Sequence, residues 1–170
     1  MSDSELLVDG FGRIREIVHE VLDGLATDGL YFRADAAANS ISWLIWHLTR
    51  VQDDHIAGAS GLEQVWLSGG WEERCGLPLD PLDIGYGHDS DEVAVVRLDA
   101  DLLAGYHDAT YEQTIAFVGG LTEADMSKIV DRRWNPPVTM AARLVSILAD
   151  DLQHAGQAAF VKGLLERRYS

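Results

Sequence analysis

Residues 40–57 read SISWLIWHLTRVQDDHIA, and the first half of this run is apolar nearly all the way round a helix. Ile41, Trp43, Leu44, Ile45, Trp46 and Leu48 leave no polar face on which such a helix can lie against water. It has to be central in a core and packed from several sides. Three other segments carry the apolar periodicity to do that packing. The first spans about 4–25, with Leu6, Leu7, Phe11, Ile14, Ile17, Val18, Val21 and Leu22 at helical steps. Another covers about 91–118 and is interrupted near 97–99, where DADLLAGYHDATYEQTIAFV starts a fresh pattern. Within it VAVVRL has strand-like composition, but an isolated strand leaves its backbone unpaired, so it reads as helix. The last follows Pro136 and Pro137, takes Thr139 as its cap and runs to about 165. Thr122 opens a short capped turn before it.

Four such helices and little strand signal predict an all-α four-helix bundle, a single domain over 1–170, with long connections. The glycine- and proline-rich stretch 58–89 is long enough to cover a site or an interface. A hydrophobic fraction of 47% in 170 residues supports one sizeable core. The net charge of −15 repels phosphates, which argues against nucleic acid and anionic membrane, although local arginines can reverse the potential inside a pocket. Cys75 is the only cysteine, so no internal disulfide forms; with no signal peptide and no transmembrane run, the expectation is the cytoplasm.

His47 lies in the most apolar segment and His154 in the last helix, about a hundred residues away. Imidazoles in such surroundings need partners. His47 and Asp54 are seven apart and nearly eclipsed on a helical wheel. Asp150 and His154 form an i,i+4 pair, while Asp151 is i,i+3 from the same histidine and nearer the middle of the buried face. Neutral imidazole and carboxylate are ligand types for zinc, iron, nickel or manganese, and three protein ligands leave a position open for water or substrate. Spacing within one helix leaves Asp150, Asp151 and Asp54 as alternatives for the third ligand. The competing reading is a polar seam, with His47 bonded to a backbone or aspartate acceptor and His154 paired with Asp150.

Through SISWLIWHLTRVQDDHIAG, GYGHDSDEV, LLAGYHDAT and TMAARLVSILADDLQHAGQAAFVKGLL, the chain resembles the DinB/YfiT-like metal-binding superfamily, specifically its DUF664 branch. That resemblance implies an up-down-down-up bundle with a divalent metal at one end: zinc first, with nickel, iron or manganese as alternatives. It puts His47 and His154 at ligand positions, and Asp150 where the isomerase-like branch has a glutamate one methylene longer. Ala158 stands where some members have a further histidine. The relatives include thiol-dependent S-transferases and the mycothiol-dependent maleylpyruvate isomerase. The implied chemistry is transfer to, or isomerisation of, an electrophilic small molecule, with mycothiol or another low-molecular-weight thiol as cosubstrate. A homodimer suits this reading. So does it suit the alternative, a non-catalytic binding or stress-response scaffold with a vestigial site.

Other residues carry weaker signals. Trp43 and Trp46 flank His47 and read as core; Trp71 and Trp134 read as loop anchors or pocket rim. Arg132, Arg133 and Arg143 suit either a substrate carboxylate or relief of an acidic surface. Cys75 is not required, because the thiol cosubstrate is the nucleophile. Tyr86, His88 and Tyr106 have too little support for catalytic roles. The absence of HExxH and of Gly-x-Ser-x-Gly argues against zinc-protease and serine-hydrolase chemistry.

Overall fold

The computed structural model describes residues 2–168. Four long helices, α1 (Asp3–Leu22), α3 (Ile41–Ser60), α7 (Ala100–Gly119) and α9 (Met140–Arg168), form the bundle. Short helices α2 (Thr27–Leu30), α4 (Val65–Ser68), α5 (Trp71–Cys75), α6 (Ser90–Val95) and α8 (Glu123–Met126) sit in the connections. Each long helix packs on two others: α3 and α1 occupy opposite corners, with α7 and α9 between them.

Side-chain pairs give the directions. Arg15 and His19 of α1 both reach Asp108, and a Cβ on Gly12 would meet Tyr111, so α1 and α7 run antiparallel. Ser42 meets Leu98, Thr49 meets His107 and Gln52 meets Thr114, so α3 and α7 run parallel. Gly10 abuts Leu148 and Lys162 bonds the Glu20 and Asp23 carbonyls, so α9 runs with α1. The order is therefore up-down-down-up, as expected.

The apolar run behaves as its composition demands: every residue from 41 to 53 is buried. Ser40 caps α3 by accepting from the Trp43 amide at 3.1 Å, and Gly61 ends it at a φ of 77° that favours glycine. The core stripe of α9 is Met140, Leu144, Ile147, Asp151, Ala155, Ala158 and Val161, with one carboxyl in an otherwise apolar row.

Three local expectations change. The segment VAVVRL is helical only to Val95; Val96 to Leu98 is neither helix nor strand, and the Leu98 amide is satisfied by Ser42 Oγ at 2.9 Å before Asp99 caps α7. The stretch 58–89 is not one loop. It folds into α4 and α5, and α4 is pinned by Asp53 of α3, which accepts from the Val65 and Trp66 amides at 2.8 and 2.7 Å. A small antiparallel hairpin, β1 (Ile129–Asp131) and β2 (Val138–Thr139), precedes α9; the strands are too short to show a periodicity.

Candidate metal centre

The antiparallel crossing of α3 and α9 brings His47, Asp150 and His154 together, with one potential ligand atom from each within 4.8 Å of the others. The imidazole centroids are 4.7 Å apart and nearly perpendicular. His47 Nδ1 lies 2.5 Å from the Ile84 carbonyl, which can only accept, so Nδ1 carries the proton and Nε2 keeps its lone pair. His154 Nδ1 is placed in the same way, 3.2 Å from Gln157 Oε1, and its Nε2 lies 3.7 Å from Asp150 Oδ1. Such hydrogen bonds to the outer nitrogen fix the tautomer and ring orientation of metal-binding histidines.

The protonation states suit ligation. Burial pushes His47 below its ordinary value, only partly offset by the bond to Ile84. Burial alone would raise Asp150, but the neighbouring His154, His47 and His55 outweigh it and keep the group a carboxylate. Asp150 in turn raises His154, so a metal there competes with a proton. Four-coordinate zinc, with bonds of about 2.1 Å, needs its donors about 3.4 Å apart. The donors here, within 4.8 Å of one another, would have to close by at most about 1.4 Å to reach that spacing. The donor set fits a divalent ion.

The second wall is the segment between Pro81 and His88. It is tied to α3 at positions 43, 47 and 50, one stripe of the helix. Trp43 Nε1 donates to His88 Nδ1 at 3.1 Å, and His88 Nε2 faces Asp83 Oδ2 at 2.9 Å. Arg50 donates from Nε to the Asp83 carbonyl and from Nη2 to that of Pro81. Gly85, at a φ of 87°, fits under these rings so closely that a Cβ would lie 2.8 Å from His47 Nδ1. Trp43 completes the wall by stacking on His47 with centroids 4.4 Å apart.

The other aspartates separate from the cluster. Asp151 faces the core, fully buried and with neither oxygen hydrogen-bonded. Burial holds its carboxyl well above the usual range, which favours the neutral acid and makes it a poor ligand as it stands. Asp54 is held by Gln64 at 2.9 Å and faces His55 at 3.3 Å. Trp46 is core, with its indole at 1% exposure, and Ala158 is fully buried. Trp71 covers Gly105 and Tyr106 and so anchors its loop, whereas Trp134 is exposed. Burial pushes the Cys75 thiol up to about 11, an inert state.

Two features are missed by sequence reasoning, which gives His88 and Tyr106 no role. His88 is part of the wall, and the Arg50–Asp53–Tyr106 group is a buried network: Tyr106 donates to Asp53 at 2.8 Å, and Arg50 lies 3.6 Å from the same carboxylate. The signal available was a charged i,i+3 pair inside the most apolar helix.

Residues 11–158 match the family model of the DinB superfamily. The chain belongs to that superfamily. A similar solved structure is described as the conserved protein of a locus from Enterococcus faecalis; it is 29% identical, with a TM-score of 0.89 over 95% of this chain and 96% of the other. Among curated proteins there is no match. No described helix is long and apolar enough to cross a membrane.

Proposed function

We propose that this DinB bundle binds a divalent metal, zinc first among the candidates, through His47, Asp150 and His154, and serves thiol-dependent transfer or isomerisation of an electrophilic small molecule. The observation that carries the reading is the convergence of two imidazoles with occupied Nδ1 atoms on one ionised carboxylate. The resemblance to the DUF664 branch suggests mycothiol or a similar small thiol as cosubstrate. A bound divalent ion supplies Lewis acidity, which keeps a thiol deprotonated near neutral pH.

The chain's own residues divide the remaining work. His47 and His154 present Nε2 lone pairs in fixed directions, and Asp150 adds the one negative charge. Trp43 and the Gly85 segment close one side of His47, while Asp150 and His154 are only partly buried. Three protein ligands leave at least one position for the thiol.

The test measures metal content and thiol affinity together. Purified protein should hold about one zinc per chain and bind a small thiol in a metal-dependent way, and H47A or H154A should lose both while remaining folded. Folded wild type that takes up no divalent metal refutes the proposal and favours a scaffold role.

A further inference from the structure

Below the metal cluster, toward the C-terminal end of α3 and the N-terminal end of α9, lies a cavity of about 250 Å³ lined by Asp54, His55, Asp131, Arg132, Arg133 and Arg143, among others. The chain has 13 basic residues and a net charge of −15, yet three of its arginines meet at this one cavity. Their commitments differ. Arg133 spends Nε and Nη2 on Asp131, at 3.0 and 2.8 Å. Arg143 gives Asp131 only Nη2, at 2.9 Å, and keeps its other N–H groups. Arg132 makes no ion pair among the described residues. Of the two carboxylates in the lining, Asp131 is satisfied by those arginines, and Asp54 accepts from Gln64 Nε2 at 2.9 Å and lies 3.3 Å from His55 Nδ1. Most of the unspent side-chain donors therefore belong to Arg132 and Arg143, with Arg133 keeping Nη1.

The cavity is aligned with the metal cluster. Asp54 follows His47 by seven residues on α3, and Arg143 precedes Asp150 by seven on α9, so two helical turns separate the levels, about 10 Å at a rise of about 1.5 Å per residue. The α9 stripe thus carries metal ligands at one level and the Arg143 guanidinium two turns away, while the α3 stripe runs from His47 to Asp54 and the hairpin connection adds Arg132.

We propose that Arg132 and Arg143 bind the carboxylate of a small acid whose other end reaches the His47–Asp150–His154 cluster. This rests on the metal reading of that cluster and adds the substrate class: a carboxylate about 10 Å from the reacting atom, a separation set by the helical rise. Planar guanidinium forks match a carboxylate bidentately, and in so acidic a chain a local cluster of this kind is what overcomes the repulsion of an anion.

The experiment uses full-length protein loaded with cobalt, whose thiolate charge-transfer band reports ligand binding at the metal. Mercaptohexanoate and its uncharged isologue mercaptohexanol are titrated at low salt. The acid should bind about tenfold more tightly than the alcohol, the worth of one charge-assisted bond. R132Q, a change at an exposed side chain, should abolish the preference and leave the alcohol unaffected; R143Q should do the same, with melting temperature checked because Asp131 loses a partner. A second arm adds hexanoate to the mercaptoethanol complex. A response in wild type, absent in R132Q, places the carboxylate on the acceptor, whereas a response only to the tethered acid places it on the thiol. Equal affinities for acid and alcohol, with the band present, overturn the carboxylate site alone. Failure to take up cobalt overturns the metal reading, and the carboxylate site falls with it.

Discussion

Replacing Gly85 with alanine tests whether the Pro81 to His88 segment positions the metal ligand. The new methyl group would lie 2.8 Å from His47 Nδ1, 2.9 Å from a Trp46 ring carbon and 3.2 Å from one of Trp43. Trp46 and Trp43 are 1% and 5% exposed, so neither ring can swing away. A Cβ at the positive φ of this residue costs about 1–2 kcal/mol, and overpacking adds about 1–3 kcal/mol. The segment should withdraw, taking the Ile84 carbonyl from His47. The expected loss is about 3 kcal/mol of stability, or roughly 10 °C in melting temperature for a chain of this size. Zinc affinity should fall about 10–100-fold, the usual cost of removing a ligand's orienting partner. The control is Gly87→Ala, at a φ of 80° with no neighbouring atom within 4 Å of the new Cβ. It carries the backbone strain alone and should leave zinc affinity unchanged. Competition against a chromophoric chelator, with thermal denaturation of the metal-free proteins, measures both quantities. Gly85→Ala with the zinc affinity of Gly87→Ala refutes the positioning argument.

Two further predictions concern the core. Asp53→Ala strips the counter-charge from Arg50, which is fully buried, and orphans the Val65 and Trp66 amides; it should cost about 3–5 kcal/mol in urea unfolding, and a loss under about 1 kcal/mol contradicts the network. His107 is buried with Nε2 unpartnered, and burial lowers its pKa from 6.5 to about 4. The unfolded chain therefore takes up this proton first as pH falls from 6.5, and the folded state only near 4, so stability drops across that window by about 3 kcal/mol. His107→Leu should flatten that acid limb in denaturation curves taken from pH 7 to 4, the range set by this linkage; an equally steep limb refutes the assignment.

The bundle was legible because its signals are local. Apolar spacing fixed the four helices, Thr139 and the preceding prolines fixed the start of α9, and the resemblance supplied the up-down-down-up order that the side-chain pairs bear out. The histidines stood out because imidazoles in such apolar runs need partners. The third member of the cluster was not legible from spacing, since Asp54, Asp150 and Asp151 differ in how α3 crosses α9, a property of neither helix alone. Asp151 does point to the core, and for that reason it points away from His154's partners. The wall around His47 was hidden because its decisive acceptor is a backbone carbonyl, Ile84, in a segment without periodicity. The hairpin before α9 was hidden by its brevity.

Metal binding by His47, Asp150 and His154 is tested most directly by anomalous diffraction at the zinc edge from crystals grown with stoichiometric zinc. One peak per chain is expected, bonded to Nε2 of His47, Nε2 of His154 and a carboxylate oxygen of Asp150, at about 2.0–2.2 Å, with at least one non-protein ligand. A peak elsewhere, or no peak while His154 stays paired with Asp150, contradicts it.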